Sequence, residues 1–203
     1  MNSKNVEIIE DYLTNVNATL ARLPIGAITQ VIDVLEEARE RGKSVFVFGN
    51  GGSAATASHF ACDLAKGAIC FGKPRLKAFA LTDHIPLLSA WANDSAYEHI
   101  FAEQLENFIQ AGDIAIGISG SGNSANVLNG VRVAKNKGGI TIGFIGFNGG
   151  KLKELVDIPV VVPIHNMEQT EDIHLLLGHI ITTCLRESIP VEQALATSLS
   201  KAR

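Results

Sequence analysis

The chain has 203 residues, 46% hydrophobic, 19% charged and 6% aromatic, with a net charge of −4. That length and composition suit one domain with one mainly aliphatic core, and the charge argues against a broad basic surface for nucleic acid. No apolar run approaches the ~20 residues of a membrane span, and Met1–Tyr12 is polar and acidic, unlike a signal peptide. The three cysteines, Cys62, Cys70 and Cys184, are odd in number and form no CxxC pattern. A reduced, cytoplasmic setting with the cysteines as small apolar residues follows most simply.

Residues 4–22 carry an apolar stripe at helical spacing: Val6, Ile9, Tyr12, Leu13, Val16 and Leu20. Leu23-Pro24-Ile25-Gly26 breaks it, and a second helix follows through Ile28, Val31, Ile32, Leu35 and Ala38. That helix closes on Arg39-Glu40-Arg41-Gly42, a C-terminal signal. The first helix has no obvious place in a sheet sandwich; a neighbouring subunit or its own domain are equal choices for its apolar stripe. Strand and helix patterns then alternate. Strands are expected at 44–48, 76–81, 114–118, 140–145 and 158–162, with helices at about 53–66, 85–92, 97–110, 124–137, 150–155 and 168–188, and a weaker one at 191–200. Apolar strands alternating with helices predict an α/β three-layer sandwich, an open five-stranded parallel sheet with helices on both faces. The expected organisation is a single domain: an N-terminal helical pair over 1–42, an α/β core over 43–188 and a helical tail over 189–203.

Ligands in such sheets sit beyond the carboxyl ends of the strands, where two polar turns fall. Gly49-Asn50-Gly51-Gly52 follows the first strand, with Ser53 as the expected N-cap of the next helix. The free N–H groups of that helix start suit an anion, although such turns also occur without a ligand. Ser119-Gly120-Ser121-Gly122-Asn123-Ser124 follows the third strand. It offers three hydroxyls and a run of backbone N–H groups, with Ser124 at the helix N-cap position, which makes a phosphate nest. It lacks the GK[ST] ending of a Walker loop, and Ala54 breaks a GxGxxG reading of the first turn. His59 and Asp63 share one helix face. Asn93-Asp94 suits either a sugar contact or a helix stop and restart with Asp94 as N-cap; spacing favours the cap. The segment Glu168–His179 opens a long apolar helix with carboxylates and two histidines. Glu168, Asp172 and His179 fall on one stripe with Glu171 to one side, and His174 and His179 are about 140° apart. His174 and His179 therefore do not both face one small site, and the carboxylates nearby raise a catalytic or metal role for the segment.

FGNGGSAATASHFACDL, AWANDSAYEHIF, GISGSGNSANVL, GGKLKELVDIPVVVP and TEDIHLLLGH, in this order, together resemble the SIS (sugar isomerase) domain family, most closely its phosphoheptose isomerase subfamily. The similarity runs from about residue 5 to 188. It implies a flavodoxin-like sheet, a homotetramer with active sites between subunits, and conversion of sedoheptulose 7-phosphate to D-glycero-D-manno-heptose 7-phosphate. It implies substrate binding by Asn50, Gly51, Gly52, Ser53, Asn93, Asp94, Ser119, Gly120, Ser121 and Ser124. It implies zinc on His59, Asp63, Glu171 and His179, with Asp63, Glu171 and His179 as candidates for the proton transfers. The family usually has Glu where this chain has Asp63 and Gln where it has Glu171. The change at 63 shortens a carboxylate, and the change at 171 adds an anion that favours a divalent cation electrostatically. A regulatory SIS module that senses phosphosugars or binds a protein partner is the competing expectation; it has no need of His179.

Overall fold

The computed structural model describes residues 3–188. The expected tail helix at 191–200 lies outside the described residues. Two helices, α1 (Ser3–Leu20) and α2 (Ile25–Glu40), precede the alternation β1 (Ser44–Gly49), α3 (Gly52–Cys62), β2 (Lys77–Ala80), α4 (Ile85–Asp94), α5 (Ala102–Phe108), β3 (Ile114–Ser119), α6 (Ala125–Asn136), β4 (Ile140–Ile145), α7 (Gly150–Leu155), β5 (Ile158–Val161) and α8 (Met167–Glu187). The five strands form one parallel sheet in the order β2-β1-β3-β4-β5, the flavodoxin-like order. All five expected strands form, with ends within one or two residues of the sequence reading.

The strand composition explains the layering. β3 is buried at every residue and β1 at all but Ser44, as a strand covered on both faces demands. One core packs β1, β3 and β4 against α2, α3 and α8 through Val31, Leu35, Phe60, Phe144, Leu177 and Ile181. The other packs the opposite face against α5, α6 and α7 through Phe48, Phe101, Leu105, Val131 and Leu152. The sheet edges carry the residues that tolerate an edge: Pro159 lies in β5, and Lys77 is exposed in β2.

α1 docks on α8 of its own chain. The Tyr12 hydroxyl donates to Asp172 Oδ2 at 2.5 Å and Gln169 Nε2 donates to the Tyr12 carbonyl at 3.3 Å. The Asp172 hydrogen bond, then burial and the nearby carboxylates, push the Tyr12 pKa up to about 12. The rest of the stripe stays outside: Ile8, Ile9 and Leu13 are 55%, 58% and 63% exposed. Below the sheet, buried Arg39 donates to the Ala68 carbonyl at 2.9 Å and the Leu185 carbonyl at 3.1 Å, tying α2 to the chain after α3 and to α8.

His174 sits on the core side of α8, 1% exposed, beside Phe144. Neither ring nitrogen makes a well-formed hydrogen bond. Burial lowers its pKa to about 4, and the Ile145 backbone offsets this only in part. The folded pKa lies below the unfolded value near 6.5, so as pH falls the unfolded chain takes up the proton first. Stability present above pH 6.5 is therefore lost progressively towards pH 4. Urea unfolding at pH 7 and pH 4.5 is expected to show the wild type losing about 2 kcal/mol more than His174→Leu; equal losses would refute a neutral buried imidazole.

Candidate active site

β1 and β3 are neighbours, with Gly49 opposite Ile118, yet their following helices leave to opposite faces of the sheet. The two polar turns therefore diverge and leave a crevice between them, the place where this sheet order puts ligands. The resulting cleft, about 270 Å³, is lined by Asn50, Gly51, Gly52, Ser53, Ile118, Ser119, Gly120, Ser121, Ser124, Met167 and Glu171. Two segments far apart in sequence thus meet as expected.

The serine turn leaves polar groups uncommitted at the cleft. Ser124 stands at the N-cap of α6 but makes no side-chain cap; its Oγ lies 3.2 Å from Ser119 Oγ instead. Among the described residues, no acceptor takes the N–H groups of Ser121 or Ser124. The turn is held from outside by the loop after β4 and by α7: Gly146 N–H donates to the Gly120 carbonyl at 2.9 Å and Leu152 N–H to the Gly122 carbonyl at 2.9 Å. Gly122 has φ +66°, and a side chain there would run into the Gly149 carbonyl, so this corner needs glycine. Donors without acceptors, hydroxyls and the start of a twelve-residue helix together suit a phosphate, with no cationic side chain needed.

α3 and α8 run side by side from this cleft. A Cβ on Gly52 would lie 2.5 Å from Glu171 Oε2, a Cβ on Gly178 would lie 3.2 Å from Phe60 Cδ2, and a Cβ on Gly67 would lie 3.1 Å from Thr182 Cγ2. Both helices therefore advance together, and their contact is close because one partner at each crossing is glycine. His59 and His179 lie seven and eight residues past Gly52 and Glu171, roughly 10–12 Å along the helices. There the two Nε2 atoms are 3.1 Å apart, and Asp63 Oδ2 lies 3.4 Å from His59 Nε2 and 3.7 Å from His179 Nε2. Both histidines are about half exposed and Asp63 is 24% exposed. Asp63 opens a π turn, Asp63–Gly67, that replaces the last turn expected of the helix; such turns recur at functional sites.

The cluster fits a divalent ion. Its three ligand atoms lie within 4.8 Å of one another. Tetrahedral zinc with bonds of about 2.0–2.2 Å separates its ligands by roughly 3.3–3.5 Å, close to the three distances found. Two imidazoles and one carboxylate with an open fourth position is also a catalytic zinc set.

The arrangement differs from the sequence reading at four points. Glu171 is outside the cluster, because eight residues of helix separate it from His179; its carboxylate packs against Gly52 in the cleft. Of the four residues expected to hold the metal, the structure brings three together, His59, Asp63 and His179, and places Glu171 beside the serine turn. Asn93 and Asp94 are exposed on the last turn of α4, where Asn93 Nδ2 donates to Asp94 Oδ1 at 2.7 Å, and neither lines the cleft. Asp94 is also no N-cap: it ends α4, and Ala96 precedes the next turn. Ser53 is not the cap of α3, which starts one residue earlier. The Asn50 and Gly51 carbonyls accept the first helical N–H groups and Gly51, at φ +53°, holds the cap position. Ser53 is buried in the first turn and still faces the cleft.

Sequence reasoning missed Asn126, Tyr97 and Met167. Asn126 and Asn50 exchange hydrogen bonds of 2.8 and 2.7 Å across the crevice, and the Tyr97 hydroxyl donates to Asn50 Oδ1 at 3.1 Å. Met167 packs on Gly120. The available signal was the position of Asn126 in the first turn after Ser124, where a buried amide has free backbone donors to meet.

The SIS domain family pattern matches residues 11–146. The phosphoheptose isomerase of Sulfurimonas denitrificans is 42% identical over 147 residues, 72% of this chain and 75% of its own. That of Aquifex aeolicus is 38% identical over 162 residues, 80% and 84% of the two chains. The solved structure of a phosphoheptose isomerase from Francisella tularensis superposes with a TM-score of 0.83 at 30% identity, covering 93% of this chain and 100% of that one. Motifs, sheet order and these likenesses agree: the chain belongs to the SIS (sugar isomerase) domain family, in its phosphoheptose isomerase branch.

Proposed function

We infer that this protein is an aldose–ketose isomerase that converts sedoheptulose 7-phosphate to D-glycero-D-manno-heptose 7-phosphate. One observation carries the reading: a phosphate-suited serine turn and a His–Asp–His cluster lie at opposite ends of one line, along the paired helices α3 and α8. An extended seven-carbon sugar phosphate has the reach to span it. The serine turn holds the phosphate through Ser119, Gly120, Ser121 and Ser124, and Asn50, Gly51, Gly52 and Ser53 meet the sugar, fixing the chain in register. Asp63, the carboxylate at the histidine end, takes a proton from C1 of the ketose and returns it at C2, through an enediol, while the O1 hydroxyl proton passes to O2; Glu171, beside the serine turn, meets the sugar chain. His59, Asp63 and His179 hold the oxygen end. A zinc ion held by these three residues would supply Lewis-acid polarisation of the substrate oxygens. Without the ion, the His179 imidazole is the proton carrier between the oxygens.

The same reading includes a homotetramer, supported by the exposed apolar residues Ile8, Ile9 and Leu13 of α1. A reducing, cytoplasmic location is supported by three free cysteines. No single helix among the described residues is long and apolar enough to cross a membrane.

Incubation with sedoheptulose 7-phosphate, with and without Zn²⁺, followed by NMR of the product, is expected to show the aldose; no aldose under either condition removes the assignment. His179→Ala is expected to lose turnover on the order of a hundredfold or more while still binding the phosphosugar; unchanged turnover would refute its role. Elemental analysis of unchelated protein is expected to find up to one zinc per chain, lost in His59→Ala; no metal as purified and no uptake on titration would sink the metal reading. Gly52→Ala separates the role of Glu171 from folding. Its methyl group displaces the Glu171 carboxylate at a stability change within about 1 kcal/mol. Turnover is expected to fall as it does in Glu171→Gln, and a fully active Gly52→Ala enzyme would exclude a part for Glu171 in holding the sugar.

A further inference from the structure

A chain of side-chain hydrogen bonds crosses the crevice between the two turns, and its direction can be followed atom by atom. The N–H of Val127, in the first turn of α6, donates to Asn126 Oδ1 at 2.9 Å. A backbone N–H can only donate, so this contact settles which end of the Asn126 amide is oxygen. Asn126 Nδ2 then donates to Asn50 Oδ1 at 2.7 Å, and the Tyr97 hydroxyl donates to the same oxygen at 3.1 Å. Asn50 Nδ2 donates back to Asn126 Oδ1 at 2.8 Å. Asn50 is thereby held with its oxygen occupied by two donors. Its second N–H has no acceptor among the described residues, and the residue lines the cleft. Asn126 is 2% exposed and is not itself among the cleft residues.

We propose that Asn126 is a positioning residue for the isomerisation: it orients the Asn50 amide so that a donor, not an acceptor, faces a sugar hydroxyl, and it sets the spacing between the sugar turn and the phosphate turn. The spacing matters because the backbone pairing of β1 with β3 ends at Gly49 and Ile118, before either turn begins. Beyond that point the two loops leave for opposite faces, and the paired amides bridge them. An error in this spacing leaves the phosphate bound but moves C1 and C2 along the chain relative to Asp63 and the histidines, which costs turnover more than binding. The proposal rests on the isomerase reading.

Asn126→Asp tests it. The carboxylate keeps the shape and still accepts from Val127 and Asn50, but it cannot donate to Asn50 Oδ1. With sedoheptulose 7-phosphate, kcat is expected to fall on the order of 10- to 100-fold while KM and inhibition by inorganic phosphate change less than about threefold. Protonation restores the missing donor, so the variant-to-wild-type activity ratio is expected to rise as pH is lowered from about 8 to about 5.5; burial brings the carboxyl's titration towards that range. A kcat within twofold of wild type, a ratio flat with pH, or an equal loss of phosphate binding would overturn the proposal. If Asn126→Asp does not fold, Tyr97→Phe removes a single donor from the same Asn50 oxygen at an exposed residue. Its expected result is a two- to fivefold fall in kcat with unchanged thermal stability, and full activity would count against the proposal. A wild type inert towards sedoheptulose 7-phosphate would remove the isomerase reading by itself. The positioning claim is then read by nitrogen-edited NMR with the same sugar phosphate, where one Asn50 side-chain N–H is expected to shift in the wild type and not in Asn126→Asp. No shift in the wild type would overturn it.

Discussion

The reversal of strand order between β1 and β3 is the constraint on which the rest of the molecule depends. Parallel strands need crossovers, and right-handed crossovers from two adjacent strands that lead in opposite directions across the sheet must use opposite faces. α3 and α6 therefore part company immediately after Gly49 and Ser119. The crevice follows from topology alone. What makes it a site is its lining: glycines that leave room, hydroxyls that are not spent on capping, and backbone N–H groups without acceptors. The amide bridge between Asn50 and Asn126 belongs to the same logic, since it joins two loops that the sheet no longer joins.

The second determinant is the close packing of α3 on α8. Small residues at the crossings, Gly52, Gly67 and Gly178, let the helices approach, and Arg39 holds the far end through carbonyls on both sides of the contact. The approach sets two stations. At the cleft, Glu171 lies over the start of α3. Two turns on, His59 and His179 face each other with Asp63 between them. Asp63 is a short carboxylate at the head of a π turn, and it is close to both imidazoles. Glu171 is the longer carboxylate and sits nearer the serine turn. The two carboxylates are thus physically separate, one at each station.

Much of this was legible in the sequence, for reasons that differ from residue to residue. The strands were readable because Val45–Phe48 and Ile114–Ile118 are continuous apolar runs that only a doubly covered strand explains. The serine turn was readable because its hydroxyls and glycines are consecutive. That His174 and His179 face different surroundings was readable from their helical angles, although the burial of His174 without a hydrogen bond was not. The cap of α3 lies two residues before the expected Ser53, because Ser53 is a good cap by type while Gly51 with Asn50 takes the role through backbone geometry. Nothing in Asp63–Gly67 announces a π turn. Asn126 was passed over because its partner lies 76 positions away.

The sequence by itself determined the class of fold, the two turns at strand ends, and the residue types able to hold a phosphate and a metal ion. These are local properties, written in the spacing of apolar residues and in the chemistry of neighbours. Only the tertiary structure decided that Glu171 joins the cleft and not the histidines, that Asn93 and Asp94 stay outside it, and that Asn126 grips Asn50. Each of those outcomes depends on a distance between segments joined only through packing. Such a distance is set by which helix crosses which and how closely, and that is a property of the filled core as a whole, not of any stretch of chain.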